Sequence, residues 1–329
     1  MEWLSEMFIG YPVWVWLMFM GLVVALLAFD LGVLHKDQHE IGVKESLKLS
    51  AFYIAMGVAF GGWLWWYRGA DTGMQYFTGY LIEKSLSLDN VFVISLIFGS
   101  LAVPRLYQHR VLFWGILGVI VMRAVMIGLG AALVAEFQWM LVVFGLFLVA
   151  TGVKMLLADE QPMSLENDRA YQWLRGHLRL TPTLHEQHFW VRGEQHGLAK
   201  GRWATPLLLA LIMVESADVV FAVDSIPAIF AITQDPFIVY TSNIFAVLGL
   251  RALYFTLAAM VHRFHYLKYA LSVVLVFIGA KVGLVYLNDN GLVDFHIPTG
   301  LSLLVTFSLL LSGVLFSLYK TREDAASHS

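Results

Sequence analysis

The sequence predicts an all-α polytopic membrane protein with about nine transmembrane helices and an inverted three-helix repeat, and three observations lead to this prediction. The 329 residues are 59% hydrophobic and only 14% charged, whereas an ordinary soluble domain is about 25% charged. The apolar residues come in blocks of about 20, the length that crosses a hydrocarbon core about 30 Å thick. Three charged landmarks also recur in the same order at a nearly constant offset.

The apolar blocks define nine predicted spans, joined by short connections except for the polar segment 159–203. That segment is rich in glycine and proline, and we expect at most one short amphipathic helix in it, near Asp168–Leu178. The predicted spans are 12–34, 47–67, 76–101, 110–135, 138–158, 204–232, 237–261, 266–287 and 297–319. They divide the chain into two N-terminal helices (1–75), a first repeat (76–158), the polar segment (159–203), a second repeat (204–287) and a last helix with a tail (288–329).

The distribution of lysine and arginine predicts the orientation. In a nine-span arrangement, 15 of these residues flank the spans on one side of the membrane, and only Arg68 lies on the other. Such an excess marks the cytoplasmic side. We therefore expect a multi-pass membrane protein with its N-terminus outside and its C-terminus in the cytoplasm. The start, MEWLSEMFIGY, is acidic and lacks a cleavage pattern, so no cleaved signal peptide is expected.

The repeat relates spans three to five to spans six to eight. The string Asp89-Asn90-Val91-Phe92 returns 129 residues later as Asp218-Val219-Val220-Phe221. Arg123 corresponds to Arg251 at an offset of 128, and Lys154 corresponds to Lys281 at an offset of 127. Because each copy contains three spans, the second copy enters the membrane from the opposite face. Inverted repeats are typical of secondary transporters, which place the substrate near the midplane between the two copies.

The first helix of each copy carries the acids that predict a site. A charge at a helix centre costs about 2.5–3.5 kcal/mol on insertion scales, so pairing, water access or function is expected there. The acids are Glu83, Asp89, Glu215, Asp218 and Asp224. On straight helices Glu83 and Asp89 would point about 120° apart, and Glu215 and Asp224 about 180° apart. We therefore predict that both helices are broken, beside Asn90 and at Ser225–Pro227, so that the acids converge on one cation.

The types of side chain available narrow the choice of metal. The sequence has no cysteine, and its 11 histidines all lie outside the predicted spans, so the buried ligands contain only oxygen. Oxygen ligands suit Mg²⁺, Ca²⁺ or Mn²⁺ better than Zn²⁺ or Cu⁺. Low pH would protonate the carboxylates and release the cation, so exchange of metal for protons is compatible with this site. We expect no permanently bound cofactor and no nucleic-acid partner.

The buried bases admit a structural and a functional interpretation. Arg123, Lys154, Arg251 and Lys281 could neutralise carboxylates and hold the bundle together, or they could support transport. Asn90 and Ser225 are predicted to support the metal site, and Lys84 could pair locally. A G-x-x-x-x-G-K-[ST] pattern for nucleotide binding is absent, and no hydrolase arrangement lies at membrane depth, so we expect no enzymatic activity.

Three strings, EKSLSLDNVFV, DVVFAVDSIPAIFAIT and SNIFAVLGLRALYF, closely resemble the TerC family of integral membrane proteins. The resemblance extends from about Phe29 to Val285, includes WLRGHLRLT in the polar segment, and is closest to the alkali-induced manganese exporters. It implies manganese export from the cytoplasm, a location in the bacterial inner (plasma) membrane and a link to tellurium resistance. The residues that it implies in transport are Glu83, Asp89, Glu215, Asp218 and Asp224.

The sequence departs from the family at Ala217, where a serine is expected before Asp218, so a hydroxyl ligand is missing there. The resemblance also allows an alternative function. In this alternative the protein is a membrane scaffold or metallochaperone partner, which supplies metal to exported proteins at the secretion machinery.

Overall fold

A computed structural model describes residues 5–34, 42–157, 168–257, 266–289 and 297–327, and 82% of these residues are helical. The helices are α1 Val13–Leu34, α2 Val43–Arg68, α3 Ala70–Ser100, α4 Arg105–Glu136, α5 Met140–Leu157, α6 Arg169–His177, α7 Pro206–Phe230, α8 Pro236–Leu248, α9 Leu250–Leu257, α10 Leu267–Asp289 and α11 Thr299–Ser327. Two short antiparallel hairpins accompany them, β1 Met7–Phe8 with β2 Tyr11–Pro12, and β3 Trp190–Arg192 with β4 Arg202–Ala204.

Within the described residues, seven helices are long and apolar enough to cross a membrane, namely α1, α2, α4, α5, α7, α10 and α11. Helix α3 has the length, but Glu83, Lys84 and Asp89 interrupt its apolar middle. The predicted seventh span is divided between α8 and α9, and its last residues, 258–261, lie outside the described residues. The all-α polytopic class is confirmed, and the count of nine crossings stays a prediction.

The faces of α4 show how the bundle suits a bilayer. Val121, Val125 and Leu129 follow one another at four-residue spacing and expose 63%, 56% and 61% of their surface. The opposite face buries Arg123 and Ile127. A helix with an apolar exterior and an inward arginine is stable in lipid, because lipid solvates the apolar face and the protein interior pairs the charge.

The helices of the two predicted repeat copies pack against each other across the bundle. Helix α3 packs against α8, and α4 packs against α7. Helices α3 and α7 also meet, and α2 and α11 cover further sides of α3. The first two helices of each copy therefore form a four-helix centre, in which side chains from α3, α4, α7 and α8 can meet.

Glycines allow α5 and α10 to approach each other closely. A Cβ atom built at Gly145 would lie 3.0 Å from the carbonyl oxygen of Gly279, and one at Gly152 would lie 2.7 Å from that of Ser272. As the residue number rises along α5, the contact moves backwards along α10, so the two helices are antiparallel. Small residues at such a contact let two membrane helices pack backbone against backbone. We call this contact the α5–α10 seam.

The predicted breaks in the third and sixth spans are wrong, since α3 continues through Asn90 and α7 continues through Ser225 and Pro227. The serines of α3 bond within the helix, because the Ser85 hydroxyl donates to the carbonyl of the residue four positions earlier at 2.8 Å. Such local bonding is compatible with an intact helix. Pro227 lies in the last turn of α7, where the loss of one donor leaves most of the helix unaffected.

The break in the bundle lies instead between α8 and α9. Helix α8 begins after Asp235, whose carboxylate accepts from the backbone N–H of Phe237 at 2.9 Å, and it ends at Leu248. In its last turn the carbonyl of Ala246 accepts a hydrogen bond from Lys84 Nζ at 3.0 Å. A positive charge at a helix C-terminus interacts favourably with the exposed carbonyls. The lysine of α3 therefore stabilises the end of α8.

The polar segment between α5 and α7 is a folded unit over residues 168–205. Its helix α6 confirms the short helix expected near Asp168–Leu178, and Asp168 caps it by accepting from two backbone N–H groups. The β3–β4 hairpin was not predicted. The Arg110 guanidinium of α4 lies 5.3 Å from the centroid of the Phe189 ring, so this unit contacts the bundle. Residues 158–167 lie outside the described residues.

Candidate functional site: a buried charge cluster between four helices

Arg123 on α4 is fully buried and contacts acceptors on three other helices. Its Nη2 lies 3.1 Å from Asp218 Oδ1 and its Nε lies 3.4 Å from Asp218 Oδ2, so the guanidinium engages both oxygens of this α7 carboxylate. Its Nη1 also donates to Oε1 of Glu83 on α3 and to Oδ1 of Asn243 on α8. We call Glu83, Arg123, Asp218 and Asn243 the Arg123 cluster.

Asn243 closes the cluster, because its Nδ2 donates to the second oxygen of Glu83 at 3.3 Å while its own oxygen accepts from Arg123. Asn243 was not among the site residues predicted from the sequence. The available signal was an amide inside the otherwise apolar string SNIFAVL. A buried amide needs partners for both its donor and its acceptor, so an asparagine at membrane depth indicates a polar neighbour.

The cluster lies deep in the bundle. Glu83 is about 20 Å from the first residue of α3 and about 25 Å from the last, at 1.5 Å per residue. Asp218 exposes 6% of its surface, and the other three members are fully buried. Taken as ionised, two carboxylates and one guanidinium leave the cluster with one negative charge. Buried charges of this kind are expensive in a membrane and mark functional sites by default.

A cavity of about 30 Å³ lies beside Asp218, between α3, α4, α7 and the α8–α9 break. Asn90, Gly115 and Leu250 are among the residues that line it. The Asn90 side-chain oxygen is buried and has no hydrogen-bond partner among the described residues. An unpaired buried acceptor costs about 1–3 kcal/mol, and a space of this size holds a water molecule. The cavity therefore has room for one water-sized group, and its lining is apolar apart from Asn90 and Asp218.

Glu215 lies on α7 one turn before Asp218 and is half-buried. Its carboxylate rests against a glycine of α4, because a Cβ atom at Gly118 would lie 2.5 Å from Glu215 Cδ and 2.6 Å from Oε2. At Gly115, which lines the cavity, a Cβ atom would lie 3.8 Å from Glu215 Oε1. The charges of Glu215 and Asp218 interact. Glu215 therefore lies next to the cavity, and the missing side chain of Gly118 on α4 leaves the space that its carboxylate occupies.

The remaining predicted residues lie apart from these contacts. Asp224 is half-buried, and its charge interacts with Lys154 on α5. Lys281 is buried on α10, the partner of α5. The side chains of Asp89 and Arg251 lie outside what the structure describes. The structure thus brings Glu83 and Asp218 together with Glu215 nearby, and it directs Asp224 to a different neighbour.

Ser225 is buried on α7 and lies near the Glu83 carboxylate. Its hydroxyl nevertheless makes no hydrogen bond of ordinary geometry to any described residue. A hydrogen bond weakens steeply when distance and angle depart from their usual ranges, so proximity alone does not bond Ser225 to Glu83. Ser225 is therefore a polar group beside the cluster rather than a member of it.

The cation that balances the carboxylates in this arrangement is the arginine. In the described part of the chain, no three histidine or acidic side chains stand close enough together to hold a metal ion. The metal site predicted from the five acids thus stays a prediction, and it requires that the contacts of Arg123 change.

The fold and the cluster define an integral multi-pass α-helical membrane protein with a buried arginine that pairs with carboxylates of two other helices. The sequence model of the Integral membrane protein TerC family matches residues 68–325, and the chain belongs to this family.

Several relatives align along almost the whole chain. The "Putative membrane-bound redox modulator Alx" of Escherichia coli (strain K12) is 46% identical over 312 residues, which cover 92% of this chain and 93% of that protein. The "Uncharacterized membrane protein STKORF319" of Myxococcus xanthus is 46% identical over 314 residues, covering 95% and 94%. An "Uncharacterized membrane protein" of Rickettsia bellii is 45% identical over 305 residues, covering 93% and 97%. No solved structure matches.

Proposed function

We propose that this protein is a secondary transporter that exports manganese, or a similar hard divalent cation, from the cytoplasm across the bacterial inner membrane. The observation that carries the proposal is the convergence of Glu83 and Asp218, from the first helices of the two repeat copies, at one buried point. Glu215 and the unpaired oxygen of Asn90 add further oxygen atoms around the neighbouring cavity. Oxygen ligands of this kind suit Mn²⁺.

The α5–α10 seam supports the inverted repeat on which this transporter class depends. The offset of 127 that relates Lys154 to Lys281 also relates Gly145 to Ser272 and Gly152 to Gly279. In the seam, Gly145 contacts Gly279, which is the counterpart of Gly152. Gly152 in turn contacts Ser272, which is the counterpart of Gly145. Reciprocal contacts of this type are the property of a two-fold axis. In transporters with such repeats, the substrate site lies where the copies meet.

The printed name of the Escherichia coli relative refers to redox modulation. These 329 residues contain no cysteine, so thiol–disulfide exchange is not available to them. Export of a redox-active cation would alter the redox chemistry of the cytoplasm without any redox group in the protein. Manganese export is therefore compatible with that name.

The proposal is tested by Mn²⁺ accumulation in inverted membrane vesicles, where export from the cytoplasm becomes uptake. We expect uptake in vesicles with the wild-type protein, a decrease of about tenfold or more with Asp218→Asn or Asp89→Asn, and collapse when a proton uncoupler is added. The matched control is Glu194→Gln, an exposed acid that lies 3.9 Å from Lys200 and outside the Arg123 cluster. Folded protein without uptake above empty vesicles would contradict manganese export.

One observation favours the second candidate, a membrane scaffold that supplies metal to exported proteins. Trp173 and Trp190 of the unit 168–205 expose 61% and 51% of their surface, and exposed aromatic side chains are typical of partner surfaces. A scaffold predicts that Trp173→Ala with Trp190→Ala impairs metal loading of exported enzymes. Transport alone predicts no such loss. Tellurite tolerance of cells with Asp218→Asn tests whether the link to tellurium resistance depends on the same site.

A further inference from the structure

We propose that Arg123 is a built-in counter-cation, which takes the place of the transported cation on Glu83 and Asp218 whenever the carrier is empty. This inference rests on the proposed transport function and describes how the same site would be reset.

The first support is the occupancy of the carboxylate oxygens. Both oxygens of Asp218 and one oxygen of Glu83 accept from Arg123, and the other oxygen of Glu83 accepts from Asn243. All four oxygens are therefore engaged in hydrogen bonds. A metal ion bonds to the same lone pairs at about 2.0–2.6 Å. The guanidinium and a divalent cation thus compete for one set of ligands.

The second support is the charge balance of the buried site. With Arg123 in place and no metal, the two carboxylates leave one negative charge. With a divalent cation bound and Arg123 displaced, the charges of Glu83 and Asp218 are cancelled, and Glu215, which is only half-buried, is not included in this count. Without either cation two negative charges would remain buried, and with both cations one excess positive charge would. Uncompensated charge is costly at membrane depth, so alternation of the two cations keeps the site closest to neutrality.

The third support is a position from which the exchange can begin. The cavity of about 30 Å³ borders Asp218 and holds a water-sized group, and the Asn90 oxygen there has no partner among the described residues. A cation that enters this cavity meets Asn90 and the edge of Asp218 while Arg123 still holds Glu83. The exchange can therefore proceed stepwise, and neither carboxylate is left without a cation.

The role has a consequence that a purely structural ion pair does not share. Net export requires the empty carrier to return across the membrane, and in that state Arg123 is the cation that balances one of the two carboxylate charges. Exchange of Mn²⁺ for Mn²⁺ does not require the empty carrier to reorient across the membrane. Replacing Arg123 by an uncharged residue should therefore stop net transport and leave measurable exchange.

The test compares net Mn²⁺ uptake with exchange of radioactive Mn²⁺ in proteoliposomes of purified full-length protein. For Arg123→Gln we expect net uptake to fall by about two orders of magnitude, while exchange remains well above that of protein-free liposomes. Arg123→Lys keeps the charge and loses the forked contact to Asp218, so we expect a partial loss of net uptake and a smaller loss of exchange.

A melting curve provides a readout that does not depend on transport. Arg123→Gln should melt below the wild type in a metal chelator and regain stability with Mn²⁺, since a ligand stabilises the state that it binds. The double variant Glu83→Gln, Arg123→Gln keeps one negative charge in the cluster, as in the wild type without metal. We expect its melting temperature in the chelator to lie between those of Arg123→Gln and the wild type.

The possible results separate the counter-cation role of Arg123 from a structural role and from failure of the transport function. Normal net uptake by Arg123→Gln would overturn the inference and leave manganese transport standing. If folded Arg123→Gln loses both net uptake and exchange, and Mn²⁺ does not raise its melting temperature, then Arg123 is a structural residue. This result would also overturn the inference. If the folded wild type shows neither net uptake nor exchange, the transport function itself is refuted.

Discussion

Replacement of Gly118 by alanine tests whether Glu215 contacts the cargo. The new Cβ atom would lie 2.5 Å from Glu215 Cδ, and carbon atoms need about 3.5 Å, so the carboxylate must retreat by about 1 Å. Glu215 is half-buried and flexible enough to move, and alanine is favoured over glycine in a helix by about 0.5–1 kcal/mol. The free energy of unfolding should therefore change by about 1 kcal/mol or less.

The transport effect should be larger than the stability effect. Changes to the groups that orient a metal ligand lower affinity by about 10- to 100-fold, so we expect the Mn²⁺ concentration for half-maximal uptake to rise by that factor. Uptake by inverted vesicles over a range of Mn²⁺ concentrations measures it. The matched control is Gly128→Ala, also on α4, where no described atom lies within 4 Å of the new Cβ atom. If Gly118→Ala differs from Gly128→Ala by less than about twofold, Glu215 does not bind the cargo where the structure places it.

Three further predictions concern the framework of the site. Lys84→Met leaves the Ala246 carbonyl without its donor, so we expect it to lower the free energy of unfolding by about 1–3 kcal/mol; an unchanged denaturation midpoint in detergent would contradict this role of Lys84. Gly279→Val forces a side chain to within 2.5 Å of the Gly145 carbonyl oxygen and should reduce the yield of monodisperse protein in gel filtration, whereas Gly283→Val, where the space is open, should not; equal yields would show that the seam tolerates separation. Burial raises the pKa of Asp235, which precedes the first turn of α8, so its ionised form lowers stability above that pKa. Asp235→Asn keeps the cap and should therefore stabilise the protein at about pH 7, and the gain should shrink as the pH falls through the pKa of the folded state; a gain that is constant down to about pH 4 in thermal unfolding would rule out this cause.

Composition and periodicity were sufficient to locate the helices. The predicted span 110–135 lies within α4, 204–232 contains all of α7, and the single helix expected in the polar segment is α6. The length of an apolar run determines whether it can cross a bilayer, and that property is local to the sequence. The predicted repeat also placed Glu83 and Asp218 on corresponding helices, and the structure brings both side chains to the same arginine.

The position of the helix break was not predictable from the sequence alone. Serines and a proline suggested breaks in α3 and α7, but Ser85 bonds within its own helix and Pro227 falls in a last turn. The actual break follows Leu248, where Lys84 from another helix satisfies a terminal carbonyl. A tertiary contact between residues 162 positions apart leaves no local pattern in the chain. For the same reason the role of Asn243 became evident only when its partners on α3 and α4 were known.

The α5–α10 seam has a consequence for the origin of the chain. Its contacts are reciprocal, so two separate copies of an ancestral three-helix protein, inserted in opposite directions, would make the same seam without any linker. Duplication and fusion of that gene would preserve the contact, and each half could then diverge on its own. The unequal acids fit this history, since Asp224 in the second half stands where the first half has Ser95. The unfused ancestor would have to insert in both directions. Its expected descendant is therefore a half-length relative with similar numbers of lysine and arginine residues on the two sides of the membrane.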